Sequence, residues 1–244
     1  MQAIQTDVVD VQAKYVLTDM IYCATQGSHV LTAMQKERMN LGIELLRDWD
    51  YSFDSDSTSA SVFAVWEYAI GYYLHETTIS SPKIRMGITN NVPSFSFICK
   101  SIKGWADAHR DSNERTKQDF CLLTELGSSN DCLEFMAWTL AKGIEQLQTM
   151  KGALEISSNG LTNWRYGLLV TLKYVHNPFS TTPLRSFFEK IVEGEGNKRT
   201  VSILVVLEHV DGKRFVGSGG PVFRFLYDGS NHVRIAMDTG PDQT

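Results

Sequence analysis

The apolar residues of this 244-residue chain change their spacing near residue 155, and that switch constrains the fold more than any other feature. Before it they recur at helical intervals, so each segment presents one face to a core. Ile4, Val8, Val11, Tyr15 and Met20 form a first stripe. A second helix is predicted over Thr32 to Arg47, with Met34, Met39, Ile43, Leu45 and Leu46 as its apolar set. Trp49 to Asp56 reads as a loop, and Asp56 or Ser57 is suited to cap a helix over Ser59 to His75. Residues 76–95 read as a long connection broken by Pro82 and Pro93. Arg110 to Asn113 opens a further helix that ends near Gly127. Asn130 or Asp131 caps a strong helix to Met150, carrying Leu133, Met136, Leu140, Ile144 and Leu147.

Beyond residue 160 the period shortens. Leu168 to Tyr174, Thr200 to His209, Arg214 to Val216, Val222 to Tyr227 and Val233 to Met237 are rich in β-branched and aromatic residues. Asp211-Gly212 and Asp228-Gly229-Ser230-Asn231 punctuate them as hairpin turns. A short helix from Pro183 to Val192 interrupts the run. The reading is a single α+β region: residues 1–155 mainly helical, residues 156–244 mainly antiparallel strands.

Charge and composition exclude several function classes. The net charge of −5 argues against a nucleic-acid binder. No apolar run approaches the roughly 18 residues of a membrane-spanning helix. Hydrophobic residues at 43% and charged residues at 21% suit an ordinary packed core rather than long-range disorder. Cys23, Cys99, Cys121 and Cys132 include no C-x-x-C pair, so neither a zinc site nor a redox motif is suggested. The compartment stays open.

The reactive side chains form no catalytic pattern. His29, His75, His109, His176, His209 and His232 include no pair at a metal-binding helical spacing. Gly217-Ser218-Gly219-Gly220 is neither a nucleophile elbow nor a phosphate loop, and reads as a tight turn before a strand. Gly194-Glu195-Gly196 reads as a loop. Asp54 and Asp56 share one loop without the EF-hand pattern, which favours capping and solvation over calcium. Trp66, Tyr72 and Tyr73 read as core aromatics rather than a pocket lining. On the residues alone, no catalytic, cofactor-binding or metal-ligating residue is assigned.

Several stretches, taken in order, resemble one family. Ile4-Gln5-Thr6-Asp7 with Ala13 is similar to an I-Q-x-D…A helix. Leu45-Leu46, Trp49-Asp50-Tyr51, Asp56-Ser57, Ser59-Ala60 and Phe63-x-x-Trp66 are similar to L-L-x-x-W-D…D-S-x-A-A-x-x-F-x-x-W. Cys132, Leu140 and Gly152 follow. Trp164-Arg165-Tyr166-Gly167 resembles W-x-W-G, and His176-Asn177-Pro178-Phe179-Ser180 with Pro183 resembles H-x-P-F-S…P. Gly196-Asn197 with Thr200-Val201 resembles G-N-x-x-T-V-N. Gly220-Pro221 with Arg224 and Asp228 resembles G-P-S-x-R…D, and Asp238-Thr239-Gly240 resembles D-T-G. The family is the penicillin acylases (penicillin amidases), amidohydrolases whose N-terminal residue is the nucleophile. Departures are Val170 in place of a His, Ser202 in place of an Asn, and Pro241 to Thr244 in place of Q-S-G.

The resemblance implies part of the αββα fold of N-terminal-nucleophile hydrolases, aligned with the later half of the family's β chain. It implies hydrolysis of the amide C–N bond of an N-acyl small molecule. In the family a Ser at the start of the β chain attacks, its own α-amine acts as base, and an oxyanion hole stabilises the intermediate. These groups align before Ile4. The resemblance therefore implies a fragment inactive alone, whose partners are the remainder of the β chain and an α chain. It implies no metal or cofactor within these residues. The alternative is a non-catalytic structural or binding protein derived from that fold. The Gly-Ser bonds at Ser28, Ser128, Ser218 and Ser230 are candidates for internal activation, and the family pattern makes Ser218 a structural turn.

Overall fold

The structure, a computed structural model, describes residues 7–74, 100, 103, 104, 107, 121, 126, 127, 131–149, 164–174, 179–202, 204–210, 214–219, 223–227 and 233–237. Among the described residues, four long helices come first in the chain. They are α1 (Val11–Gln26), α2 (Ala33–Arg47), α3 (Thr58–Leu74) and α4 (Cys132–Thr149). A 3-10 turn, Gly27–Val30, joins α1 to α2. The remainder alternates short helices and strands. One-turn helix α5 (Tyr166–Leu169) leads into β1 (Val170–Tyr174). Helix α6 (Arg185–Phe188) leads into β2 (Lys190–Glu193). Then come β3 (Val205–Val210), β4 (Arg214–Gly219), β5 (Phe223–Tyr227) and β6 (Val233–Met237). The architecture is α+β, as the spacing switch predicts.

α4 is the central helix, with α1, α2, α3 and the 3-10 turn all packed on it. Its buried residues extend well beyond the predicted stripe to Phe135, Ala137, Trp138, Thr139 and Ala141. A helix apolar on nearly every side belongs inside a core, not on its surface. α3 is similarly buried, and its Trp66 Nε1 donates to Thr139 Oγ1 of α4 at 3.2 Å. The 3-10 turn sits directly on the start of α4. A Cβ at Gly27 would stand 2.0 Å from the Leu133 carbonyl oxygen, so only glycine allows this approach.

The helix starts follow their caps. Asp10, Thr32, Ser57 and Asp131 each place a side-chain oxygen on a backbone N–H of the first turn that follows. Thr32 forms a full capping box with Gln35. The ranges predicted for α2, α3 and α4 agree with the structure to within a residue or two. α1 is a correction. It begins at Val11 because Asp10 caps it, and residues 7–10 are extended, with Val9 bridged to Ser52. The predicted stripe holds only in part. Val8 and Met20 are buried as expected, but Val11 and Tyr15 are exposed, and Ala13, Val16, Leu17, Cys23 and Ala24 complete the buried face; Ile4 lies outside the described residues. Small residues such as Ala13, Cys23 and Ala24, not the large aromatic Tyr15, line the packed face. Met34 of α2 is likewise exposed.

The strand half departs further. β1, β2, β3 and β4 form one sheet in the order β2-β1-β4-β3. β1 pairs antiparallel with β2 but parallel with β4, so the sheet is mixed, not wholly antiparallel. β5 and β6 make a separate antiparallel pair in which Phe223 faces Met237 across the ladder. The Pro183 to Val192 helix is a single turn, because the β-branched pair Ile191-Val192 joins β2 against β1. The predicted strand from Leu168 starts two residues later, after α5. Residues 200–202 turn rather than extend, and β3 starts at Val205. Gly217 to Gly219 are not a tight turn. They continue β4, facing Val206 and Val205 of β3 where the register slips, which is a setting that suits glycine. The helix predicted from Arg110 lies outside the described residues, apart from Cys121, Leu126 and Gly127. So do the 76–95 connection, both hairpin turns, and His75, His109, His176 and His232.

Candidate functional site

Several of the motif residues that carry the family resemblance, far apart in sequence, meet at one place. The meeting point is the loop between β2 and β3. Gly194 N–H donates to the Val170 carbonyl at 2.8 Å, and Gly196 N–H to the Phe53 carbonyl at 2.9 Å. Gly196 adopts φ 77°. A Cβ there would meet the Ser202 carbonyl oxygen at 2.0 Å, so the position requires glycine twice over. Asn197 N–H donates to Thr200 Oγ1 at 2.9 Å, and the Thr200 hydroxyl donates to the Ser202 carbonyl at 2.7 Å. The Ser202 N–H then donates to the Asp7 carbonyl at 2.9 Å, tying the loop to the extended N-terminal segment.

A buried charge knot closes this loop. Asp10 is fully buried. Its Oδ1 caps α1 by accepting from Ala13 N–H at 3.0 Å. Its Oδ2 accepts from Asn197 Nδ2 at 2.8 Å and from Arg199 Nε at 2.7 Å. The other two nitrogens of Arg199 grip Glu67 of α3 as a fork, with Nη2 to Oε2 at 2.8 Å. Lys198 Nζ stands 3.8 Å from the same carboxylate. A bidentate guanidinium–carboxylate pair of this kind is strong and geometrically specific.

The electrostatics agree. Burial pushes Glu67 upward, but the Arg199 charge and its hydrogen bonds outweigh it and hold the carboxyl below its ordinary range. Burial also works against the Arg199 cation, and the two carboxylates Glu67 and Asp10 more than offset it, so the guanidinium stays charged. Each of Asp10, Glu67, Asn197 and Arg199 is hydrogen-bonded within the knot. Such groups hold shape; a carboxylate already committed to a guanidinium is a poor proton carrier at neutral pH.

Beside the knot lies an aromatic cluster from the same motifs. Trp49, Phe53, Phe63 and Tyr166 pack with Trp49–Phe63 and Phe53–Tyr166 centroids each 5.1 Å apart. Tyr166 is buried and donates from its hydroxyl to the Gly196 carbonyl at 2.8 Å. Burial pushes that phenol far above its usual range, so it remains a neutral donor. Tyr51 sits at φ 67°, a backbone region that a bulky residue rarely occupies. The surrounding bonds hold it there: Tyr51 accepts from Asp10 N–H at 3.0 Å, and Trp49 Nε1 donates to the Ser52 carbonyl at 3.0 Å. The Trp164-Arg165-Tyr166-Gly167 motif clamps the loop before α3. Tyr166 N–H donates to Ser57 O at 3.1 Å and Gly167 N–H to Ser55 O at 2.8 Å. Arg165 bridges Asp56 and Glu193 at 2.7 and 2.8 Å.

Neither Asp54 nor Asp56 fills the predicted capping role; Ser57 caps α3 and the two carboxylates bond within the loop and to Arg165. Asp54 Oδ2 accepts from Ser52 Oγ, its carbonyl accepts from Ser57 N–H, and Asp56 pairs with Arg165. Trp66 is core, and Tyr72 and Tyr73 are half-buried on α3. His29 Nε2 lies 3.1 Å from the buried Glu134. Among the described residues no group of three or more His, Cys, Asp or Glu could hold a metal ion. Among them, too, no helix is long and apolar enough to cross a membrane. Sequence reasoning missed Asp10, Glu67 and the pairing of Arg199. A signal existed for Glu67, the sole charged residue within the apolar run of α3; a lone charge on a buried helix needs a partner.

No curated protein matches the chain. The family model described as Penicillin amidase matches residues 1–243. Together with the ordered motifs and the way they interlock, that match shows that the chain belongs to the penicillin amidase family.

Proposed function

We propose that these 244 residues are a bracing part of an amidohydrolase that cleaves the amide C–N bond of an N-acyl small molecule. The nucleophilic serine, its α-amine base and the oxyanion hole come from polypeptide aligned before Ile4, and an α chain completes the enzyme. This part carries no catalytic residue. The observation that supports the reading is the convergence of the motifs. Asp10, Asn197, Arg199, Trp49 and Tyr166 spend their polar groups on one another and on backbone. A second support is the apolar band Leu184, Phe187, Phe188 and Ile191, exposed around α6 and β2, with Phe187 at 81%. A band of this kind suits a surface covered in the complete enzyme.

The test is incubation of the purified chain with a chromogenic N-acyl amide, alone and after co-expression with the nucleophile-bearing β segment and α chain of a family member. The reading predicts no turnover alone and turnover in the co-expressed complex. Turnover by the chain alone, abolished by replacing one of its serines, overturns it.

A further inference from the structure

Sulfur chemistry is the reactive feature of the described residues that amide hydrolysis leaves unused. Cys121 and Cys132 are joined by a disulfide, and neither is exposed to solvent. Cys132 is the first residue of α4, the helix on which the other three long helices pack. The bond therefore fastens residue 121 to the element around which the core is built. Cys23 of α1 is a free thiol, also buried. Burial first, then the nearby Asp19 charge, pushes that thiol up to about 12, so it holds almost no thiolate at neutral pH.

We infer that the chain folds under thiol-oxidising conditions, with Cys121–Cys132 as a permanent internal staple and Cys23 kept out of exchange by its burial. Disulfides persist where the surroundings do not reduce them, and exchange requires both a thiolate and an accessible sulfur. Neither is offered by the folded core. Formation is a balanced exchange. The two thiols lose two electrons and two protons to an oxidant disulfide, such as oxidised glutathione or an oxidoreductase, which departs as two thiols. The two cysteines are 11 positions apart in sequence, far enough for the staple to restrict the unfolded chain appreciably.

The test uses the full chain purified without reductant. It is alkylated while native, digested without reduction and mapped by mass spectrometry. The expected map joins the Cys121 and Cys132 peptides and leaves Cys23 unlabelled until guanidinium is added. Reduction should be much slower in the native state than in denaturant, and should lower the melting midpoint by about 5–10 °C. The Cys121→Ala/Cys132→Ala variant should melt with the reduced chain and ignore dithiothreitol; if it does not fold, the map and the reduction rate of the unaltered chain decide. Labelling of Cys121 or Cys132 in the native oxidised chain, linkage of either to Cys99 or Cys23, or an unchanged midpoint on reduction overturns the inference.

Discussion

Gly196 carries two requirements at one atom: a positive φ and a carbonyl oxygen where a side chain would begin. Gly196→Ala should therefore cost roughly 3 kcal/mol or more in chemical denaturation, beyond the usual effect of a loop substitution. Glu67 gives a second residue-scale prediction. Its folded pKa lies below the ordinary value. A carboxylate of that kind contributes stability that is present above its unfolded pKa and lost as pH falls through the folded one. Stability should hold from neutral pH to about 4.3, the ordinary glutamate value, and decline below it. Glu67→Gln should lower the neutral plateau and reduce the slope of that decline, as followed by melts across pH 2–7.

At the scale of elements, caps were more legible than faces. Asp56 or Ser57 and Asn130 or Asp131 announce α3 and α4, with Ser57 and Asp131 doing the capping, while Thr32, read as the first residue of α2, is its cap instead, because a short polar side chain before an apolar run satisfies the free N–H groups of a first turn. Thr32→Ala should cost about 1 kcal/mol, measurable by denaturant titration, because it removes one arm of the capping box. The strands read less well. Residues 166–193 alternate single helical turns with strands of four or five residues. In segments that short, sheet pairing decides the conformation and local periodicity carries little information. The parallel pairing of β1 with β4 is a long-range choice, and nothing local in Val170–Tyr174 encodes it. The candidate site divided similarly. Asn197, Trp49 and Tyr166 stood in quoted motifs, but their partners Asp10 and Glu67 did not, since a buried ion pair between distant segments leaves only an isolated charge in each.

Over the whole molecule, the knot links three regions that no single element joins: the start of α1, the middle of α3 and the loop before β3. Breaking it from one side leaves a buried charge without compensation, which typically costs 3–5 kcal/mol. Removing both partners together should cost much less than the sum. If the knot of this penicillin amidase family member acts as the brace proposed above, its value should lie in the coupling of its members and not in any one of them. The most direct measurement is a double-mutant cycle on the unfolding free energies of Asp10→Asn, Arg199→Met and the combined variant. A coupling of about 2 kcal/mol or more between the two sites is predicted. Additivity within about 0.5 kcal/mol would contradict the brace and leave these residues free for another role.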